Sequence, residues 1–309
     1  MSERSRILIL GARGRLGGAL HRCYAAQHDV SAWGREELDL LKTDQISDRL
    51  AQVSFDVLIN AAGLTHVDRC ETAREEAHLS NEVAPGEMAR FCAQRGKRFI
   101  HISSDYVFSG SGHRPLVEDD EAAPINFYGQ SKRGGEIAVL RENSRALVAR
   151  VSWLFGRDKA GFPDMILRRA RQEAEVSAVN DKWSSPTYAD DLAEWLELLF
   201  TRHADATGLL HLCNAGEAQW QEYGQATLDL ARERGIALRT TQVRGHSMQG
   251  FEPFDAPRPP YTVLDTGRFT QITGITPRPW QQALAVHLDQ TLADAEADAV
   301  ADADEAAQR

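Results

Sequence analysis

The chain has 309 residues, of which 42% are hydrophobic and 26% charged, and its net charge is -10. This length can bury a substantial core as one large domain or two smaller ones. No apolar run approaches the roughly 18 residues of a membrane-spanning helix, and the mildly acidic body argues against nucleic acid as a partner.

The N-terminus, MSERSRILIL, has only a short apolar run before the glycine-rich GARGRLGG. That pattern predicts a buried strand leading into a turn, not a signal peptide. The cysteines show no C-x-x-C spacing, so we expect small core residues, with no disulfide framework and no metal site. A reducing cytoplasm is the natural compartment for such a chain. The four cysteines are Cys23, Cys70, Cys92 and Cys213.

Through the first half, short apolar runs alternate with longer helix-like segments. Near-continuous apolar strands between helices predict an α/β fold, a Rossmann-type doubly wound parallel sheet. Such sheets bind ligands at the carboxyl ends of their strands. The predicted strands are 6–10, 29–33, 56–60, 98–103 and 146–152, and the predicted helices are 15–27, 72–95 and 126–143.

The second half is less regular and predicts a smaller C-terminal α/β domain that binds substrate. A Pro-rich loop at 251–261 suits substrate contacts, because such loops on a rigid scaffold commonly carry them. The boundaries we expect are a nucleotide-binding domain at 1–157 that also receives 188–214, and a substrate region at 158–288. The elements predicted here are helices 161–174, 188–201 and 220–234, and strands 176–181 and 208–214, the last returning to the main sheet.

An acidic Ala/Asp/Glu tail follows at 289–309, with seven acids and one base. The tail therefore carries -6 of the net charge of -10, which leaves a mildly acidic body with a charge of -4. Because no large apolar residue follows Val300, we expect a fraying helix or disorder. The acids are Asp289, Asp294, Glu296, Asp298, Asp302, Asp304 and Glu305.

A glycine-rich turn follows the first strand, with Gly11, Gly14 and Gly17 in G-x-x-G-x-x-G spacing. The chain must turn sharply there, approach a pyrophosphate, and start a helix whose N–H groups face the phosphates. Tight strand–helix turns need glycine in any case, but the position between a strand and an amphipathic helix favours a dinucleotide. Arg15 and Leu16 lie in the same turn and are expected beside the cofactor.

The second strand ends without the acidic residue that would bind a ribose 2′-hydroxyl. It is followed instead by Arg35, while Arg13 lies inside the glycine turn. A basic pair suits a 2′-phosphate and favours NADPH, with NADH left open. The alternative is that both arginines are solvated loop residues.

Three residues in chain order could act on a carbonyl group. Ser104 follows the strand FIHIS, and Tyr128 and Lys132 are four residues apart on a later helix. A phenol with a pKa of about 10 is a poor acid–base, and a nearby ammonium should lower that pKa. The Ser104 hydroxyl could meanwhile bond the carbonyl oxygen. We therefore predict a catalytic set of Ser104, Tyr128 and Lys132.

These motifs resemble those of the extended short-chain dehydrogenases/reductases, and more closely the dTDP-4-dehydrorhamnose reductase family of sugar-nucleotide reductases. The resemblance covers about residues 5–288. It rests on an ordered set of motifs, of which the later ones are the more specific: GARGRLG, ELDL, NAAGLTHVDRCE, SNEVAP, SSDYVFSG, P-INFYGQSKRGGE, RVSWLFG, DKWSSPTYADDLA, HLCNAG and APRPPYTVLDT.

The resemblance implies roles for further residues. Asp39 and Leu40 would pack on the adenine side, and the backbone of Ala61 and Ala62 would line the cofactor cleft. Substrate contacts are implied for three more, Tyr106, Trp153 and Arg258. An indole offers an apolar wall and a guanidinium suits a diphosphate. Equally, Trp153 could be core and Arg258 a loop salt bridge.

The implied activity is NADPH-dependent reduction of the 4-keto group of a nucleotide-linked deoxysugar. The implied location is the cytoplasm, and the resemblance allows a homodimer. Gly161 and His66 depart from the family pattern on the substrate side, which leaves the sugar open. Two alternatives remain. One is an epimerase or dehydratase on the same scaffold. The other is a non-catalytic NADP-binding regulatory subunit, like the beta subunit of methionine adenosyltransferase.

Overall fold

The computed structural model describes residues 4–249 and 254–307, and of 295–307 the backbone alone. The strands in this part of the chain are β1 Arg6–Leu10, β2 Asp29–Trp33, β3 Val57–Asn60, β4 Arg98–Ser104, β5 Leu147–Val151, β6 Leu154–Phe155, β7 Val176–Val179, β8 Trp183–Ser184, β9 Thr187–Tyr188, β10 Gly208–His211, β11 Ala218–Gln219 and β12 Val243–His246.

The α-helices over the same residues are α1 Arg15–Tyr24, α2 Ile46–Leu50, α3 Val67–Thr72, α4 Arg74–His78, α5 Ala84–Gln94, α6 Phe127–Glu142, α7 Phe162–Gln172, α8 Ala189–Thr201, α9 Trp220–Glu233, α10 Gly267–Thr273 and α11 Trp280–Ala307. Short 3₁₀ turns lie at Thr43–Gln45 and Asp105–Val107, and a π-helical turn at Leu79–Val83.

Six strands form the central sheet in the order β2-β1-β3-β4-β5-β10, and every neighbouring pair is parallel. The chain leaves β1 toward β2 on one side and returns to β3 on the other. The crevice between the ends of β1 and β3 is thus a topological switch point, where such sheets bind ligands.

Helices cover both faces of this sheet. On one face, Leu20 of α1 and Leu196 of α8 join a core with β1, β3, β4, β5 and β10. On the other, Met88 of α5 and Val139 of α6 pack with the opposite side chains of the same strands. A parallel sheet buried on both faces confirms the predicted doubly wound α/β fold.

Helix α6 is fixed to the sheet by a buried ion pair. Glu136, which is fully buried, accepts hydrogen bonds from Nε and an Nη of Arg150 on β5, at 2.7 and 2.8 Å. The same carboxylate accepts from Ser103 on β4 at 2.7 Å and from Arg133 at 2.9 Å. Burial alone would raise the pKa of Glu136, but Arg150 and these donors hold it below its usual value.

The smaller C-terminal part is built from short strand pairs and three helices. β7 and β12 are parallel, β8 and β11 antiparallel, and β6 and β9 parallel. Helices α7 and α9 pack on β7 and β12, with Ile166 and Leu228 in their core. A second cluster joins Tyr223 of α9 to Trp280 and Leu284 of α11.

The segment predicted as one helix from 72 to 95 is interrupted. Ala73 separates α3 from α4 with φ -111° and ψ 53°, and the π-helical turn precedes α5. The π turn carries Asn81, whose side chain accepts from the backbone N–H of Leu64 at 2.8 Å and donates to its carbonyl at 2.9 Å. Hydrophobic periodicity alone does not reveal a turn that is widened for such a contact.

Other differences concern short elements and the tail. Sequence periodicity missed the two-residue strands, β12 and α10, because such short runs carry too little pattern. The strand predicted at 208–214 is β10, which pairs with β5 in the main sheet. The acidic tail is helical through Ala307, as part of α11. Three residues of the Pro-rich loop, 251–253, lie outside the described residues.

We predict that Glu136→Gln will lower the free energy of unfolding by about 3–5 kcal/mol, because it leaves the buried Arg150 guanidinium without its counter-charge. Urea denaturation measures this. Glu142→Gln is the matched control, since Glu142 pairs with Arg90 and Arg141 at the surface and its loss should leave the midpoint close to wild type. Equal midpoints for the two variants would contradict the role of Glu136.

Candidate active site

The predicted catalytic residues meet at the carboxyl end of β4. Ser104 is the last residue of β4, and Tyr128 and Lys132 lie on the first two turns of α6; all three are buried. The α6 N-terminus is capped by Asn126, whose side chain accepts from the Gly129 N–H at 2.8 Å. The structure thus brings the three predicted residues together.

Gly129 allows α6 to approach the end of β4 closely. A Cβ added there would lie 2.1 Å from the carbonyl oxygen of Tyr106. A larger residue would push the first turn of α6, and Tyr128 with it, away from Ser104. The glycine after the tyrosine is therefore part of the site geometry.

Tyr128 holds its proton firmly. Burial raises the pKa of the phenol well above 10, and the hydrogen bond with Ser104 opposes this only in part. The sequence suggested that Lys132 would lower this pKa, and that expectation is wrong for this structure. The Lys132 ammonium donates instead to the Ile102 carbonyl at 2.6 Å. At neutral pH, Tyr128 is a proton donor.

Lys132 is charged at neutral pH but lies near its titration range. Burial lowers its pKa to about 8, while the carboxylate of Glu136, one turn further along α6, works against that shift. The ammonium also helps to keep His101 neutral, since burial and then Lys132 lower the pKa of that imidazole. The Lys132 ammonium therefore loses its proton just above physiological pH.

The Ser104 hydroxyl is directed at a carboxylate. Its Oγ donates to Oδ1 of Asp105 at 3.0 Å and accepts from the backbone N–H of Tyr106 at 3.2 Å. Because a carboxylate can only accept, the single Ser104 proton points toward Asp105. The bond from Ser104 to a substrate carbonyl that the sequence suggested requires this proton to leave Asp105.

The glycine turn at β1 has the close packing that a dinucleotide site needs. Gly11 has φ +82°, and a Cβ on it would lie 2.8 Å from the Ala61 backbone. A Cβ on Gly17 would lie 2.1 Å from the Gly11 carbonyl oxygen. No side chain caps the N-terminus of α1 at Gly14, so its first N–H groups remain open for a pyrophosphate.

Two other residues of this turn point away from it. Leu16 is buried in the core against the sheet. The Arg15 guanidinium donates to the carbonyls of Lys159 and Ala160, at 3.0 and 2.8 Å, and so joins the turn to the segment before α7. Their backbone belongs to the predicted cofactor turn, while their side chains hold that turn in place.

The two arginines expected at a 2′-phosphate are both exposed, Arg13 in the glycine turn and Arg35 just after β2. Arg13 pairs with Glu36 at 3.2 Å, and Arg35 lies 3.6 Å from Asp39. Exposed pairs of this kind are weak and can exchange partners at little cost. Leu40 packs against the core on this side, and Ala61 and Ala62 follow β3 beside Gly11.

On the substrate side, Tyr106 stands edge-on to Tyr128, with ring centroids 5.6 Å apart. The Arg258 guanidinium is buried, pairs with Asp68 at 2.7 Å and stacks over the Phe254 ring at 4.6 Å. The salt bridge proposed as the alternative for Arg258 is therefore present. It lies close to the start of α6, because the capping residue Asn126 donates to the carbonyl of Pro257, the residue before Arg258, at 2.8 Å.

Trp153 belongs to an aromatic cluster with Phe162, Trp220 and Tyr223, at centroid distances of 4.8 to 5.4 Å. Its backbone has φ +41°, which is strained for a bulky residue and costs of order 1–3 kcal/mol. Such strain is more frequent at functional sites. His66, the departure noted above, caps α3 by accepting from the Arg69 N–H at 3.2 Å.

Sequence reasoning missed several polar residues around Ser104. Asp105 accepts from Ser152 at 2.8 Å and from Thr262 at 2.6 Å. Lys182, almost fully buried, donates to the Pro259 carbonyl at 2.7 Å. Asp105 was visible beside Ser104 in SSDYVF, but nothing in the sequence links it to positions 152, 182 or 262.

Two kinds of feature are absent from the described part of the chain. Residues 4–249 and 254–307 contain no cluster of three or more His, Cys, Asp or Glu side chains that could hold a metal ion. None of the helices described is long and apolar enough to cross a membrane.

The turn between β1 and α1 has the close glycine packing and the uncapped helix N-terminus of a dinucleotide-binding turn, and a buried tyrosine lies at the end of the neighbouring strand β4. These features place the protein among the NAD(P)H-dependent oxidoreductases of the Rossmann type. A comparison with protein families then gives the particular group. The model of the RmlD substrate binding domain matches residues 5–293, and the chain belongs to this family.

Individual relatives agree with this assignment. The dTDP-4-dehydrorhamnose reductase of Mycolicibacterium smegmatis is 38% identical over 90% of this chain and 84% of its own. Spore coat polysaccharide biosynthesis protein SpsK of Bacillus subtilis is 32% identical over 93% and 98%. The solved dTDP-4-dehydrorhamnose reductase of Bacillus anthracis, in complex with NADP, superposes with a TM-score of 0.86 at 27% identity, over 93% of this chain and all of that one.

We predict that Gly17→Ala will weaken NADPH binding by tenfold or more, because the added Cβ must displace the Gly11 carbonyl and with it the phosphate turn. Titration of NADPH fluorescence gives the dissociation constant. Gly112→Ala is the matched control, since a Cβ there meets nothing within 4 Å. An affinity for Gly17→Ala within twofold of wild type would show that the cofactor does not use this turn.

Proposed function

We propose that the protein reduces the 4-keto group of a deoxysugar linked to a nucleoside diphosphate, with NADPH as reductant. The observation that carries the proposal is the buried Tyr128 hydroxyl beside Ser104, protonated at neutral pH. Relatives named dTDP-4-dehydrorhamnose reductase support the substrate class, since five of them are 30–38% identical to this chain.

The bound nicotinamide supplies the hydride that adds to the keto carbon. Tyr128 delivers the proton to the keto oxygen, which becomes the product hydroxyl. Lys132 would bind the ribose of the nicotinamide cofactor through its ammonium group, and so position the cofactor beside Tyr128. Ser104 would turn its proton from Asp105 to the keto oxygen and so orient the carbonyl group.

The substrate would lie between the β4 end and the loop 254–262. Tyr106 presents its ring beside Tyr128, and Arg258 offers a guanidinium for the diphosphate. Trp153 would contribute an apolar wall from the aromatic cluster. On the cofactor side, Arg13 and Arg35 would exchange Glu36 and Asp39 for the 2′-phosphate.

We also propose a cytoplasmic location and a homodimer, and expect no nucleic-acid partner. The four cysteines are free, and three of them are buried, which suits a reducing compartment. Size-exclusion chromatography with light scattering tests the oligomeric state directly.

We predict that Tyr128→Phe will bind NADPH as wild type does and lose at least 100-fold in kcat, because the proton donor is gone while the ring remains. Stopped-flow absorbance at the nicotinamide band measures turnover. Tyr24→Phe is the matched control: that buried hydroxyl donates to the Ala193 carbonyl, remote from the site, and its loss should leave kcat close to wild type. Near-normal turnover by Tyr128→Phe would disprove the assigned role.

We predict that a panel of nucleotide-linked 4-keto sugars will include one that oxidises NADPH stoichiometrically. An epimerase or dehydratase retains its nicotinamide through the cycle, so conversion without net oxidation would indicate that class. Binding of NADPH with no turnover of any panel member, together with co-purification of a partner enzyme, would favour the regulatory subunit.

We further predict that the double variant Arg13→Ala/Arg35→Ala will have a kcat/KM for NADPH that is lower by tenfold or more. Its kcat/KM for NADH should stay within threefold of wild type. The arginines would contact only the 2′-phosphate, which NADH lacks. Steady-state kinetics with both cofactors tests this. An equal loss with both would mean that the pair supports the fold of the cofactor turn instead.

A further inference from the structure

A buried lysine in the site has no part in the reaction described above. Lys182 lies just before β8 and its side chain is 1% exposed. Burying an ammonium is costly unless it is well paired. A methionine or leucine would fill the same space without that cost, so the charge needs an explanation.

We propose that Lys182 is a positioning residue for the reduction, which holds the catalytic pair of Ser104 and Tyr128 in place through two separate sets of contacts. The proposal rests on the roles given to Ser104 and Tyr128 under the proposed function. One set of contacts is a chain of hydrogen bonds, and the other is a cation–π contact followed by an edge-on ring contact.

The hydrogen-bonded chain runs from the ammonium toward Ser104. Lys182 Nζ approaches the Thr262 hydroxyl oxygen at 3.4 Å, and the Thr262 hydroxyl donates to Oδ2 of Asp105 at 2.6 Å. The other oxygen of Asp105 accepts the Ser104 proton at 3.0 Å. Lysine can only donate and the carboxylate can only accept, so the direction of every bond in this chain is determined.

This direction leaves Ser104 as an acceptor. With its proton on Asp105 and its oxygen accepting from the Tyr106 N–H, the Ser104 hydroxyl has a fixed orientation beside Tyr128. Without Lys182, the Thr262 hydroxyl loses its charged donor and keeps its contacts with the Ser184 hydroxyl at 3.2 Å and the Trp183 carbonyl at 3.4 Å, which compete with Asp105 for its proton. The carboxylate could then rotate, and the Ser104 proton would lose its fixed direction.

The second set of contacts passes through rings. Lys182 Nζ lies 4.9 Å from the centroid of the Tyr106 ring, in cation–π geometry. The Tyr106 ring in turn stands edge-on to Tyr128, with centroids 5.6 Å apart. Both sets of contacts therefore begin at the same ammonium and end at Ser104 or Tyr128.

The ammonium also anchors the substrate loop. It donates to the Pro259 carbonyl at 2.7 Å, one residue from Arg258. The charged groups that face it are Asp105, which favours the ammonium, and Arg258, which opposes it. Burial outweighs both and lowers the pKa of Lys182 to about 8. The positive charge is therefore present at neutral pH and is lost as pH rises through about 8.

Two lysines in the free enzyme, Lys132 and Lys182, then lose a proton in the same range. If both charges are needed, log kcat/KM of the wild type should fall above pH 8 with a slope that approaches -2. Tyr128 keeps its proton throughout this range. In Lys182→Met, only Lys132 remains to titrate, so the slope should be -1. If Lys182 had only a structural role, its replacement would leave the slope of log kcat/KM above pH 8 unchanged.

The experiment compares Lys182→Met with wild type on the keto-sugar nucleotide that the panel identifies. We expect kcat to fall 10- to 100-fold, the NADPH dissociation constant to stay within twofold, and the alkaline slope to change from -2 to -1. Lys97→Met is the matched control, because Lys97 pairs with Asp56 at the opposite end of β4. A kcat within threefold of wild type, or an unchanged slope, overturns the proposal.

A second pair of variants decides the matter if Lys182→Met does not fold. Thr262→Val removes the hydroxyl in the chain at constant shape, and Thr262→Ser keeps it. We expect Thr262→Val to lose at least tenfold in kcat and Thr262→Ser to stay within threefold. Equal activities for the two overturn the proposal.

A crystal structure separates this inference from the proposed function. In Lys182→Met, or in Thr262→Val, the hydroxyl of Ser104 or the carboxylate of Asp105 should move from its wild-type position. If both are unmoved, the inference fails, whatever substrate the enzyme uses. If they move and the wild type reduces no keto-sugar nucleotide, the proposed function fails and the positioning role stands.

Discussion

The ion pair between Glu136 and Arg150 determines where the proposed catalytic residues are located. A helix packed on a parallel sheet can slide or rotate by a residue at modest cost in apolar contacts, but a fully buried carboxylate bonded to β4, β5 and its own helix cannot. Tyr128 and Lys132 lie two turns and one turn before Glu136 on the same helix. Their distance from the end of β4 therefore follows from the pair.

Burial is the common cause of the shifted pKa values of Tyr128, Lys132 and Lys182. It raises the pKa of the Tyr128 phenol and lowers that of the two ammonium groups to about 8. A protonated phenol and two ammonium groups with lowered pKa values therefore lie in the same low-dielectric region. The Cys70 thiol nearby is silent in this chemistry, because burial raises its pKa to about 11.

The sequence was sufficient wherever function lies in local spacing. The glycine turn, the serine at a strand end and the Tyr–Lys pair each occupy one strand–turn–helix unit, so pattern and order located them. The effect of Lys132 on Tyr128 was predicted wrongly, because spacing along a helix does not tell where an ammonium points. Asp105, Lys182 and Thr262 were missed since their contact joins positions 157 residues apart. The strain at Trp153 likewise has no signature in the amino-acid order.

Asp68 reaches across from α3 to hold Arg258 in the substrate loop, and this has a kinetic consequence. On the proposed role, an arriving diphosphate meets a guanidinium whose charge is already neutralised and whose rotamer is already fixed. Long-range attraction is then weak, which suits a protein whose own net charge is negative. Recognition depends on short contacts made after collision, and the side-chain entropy of Arg258 has been lost before the ligand arrives. Encounter should therefore be slow and nearly independent of ionic strength, and selectivity should lie in how long the complex lasts.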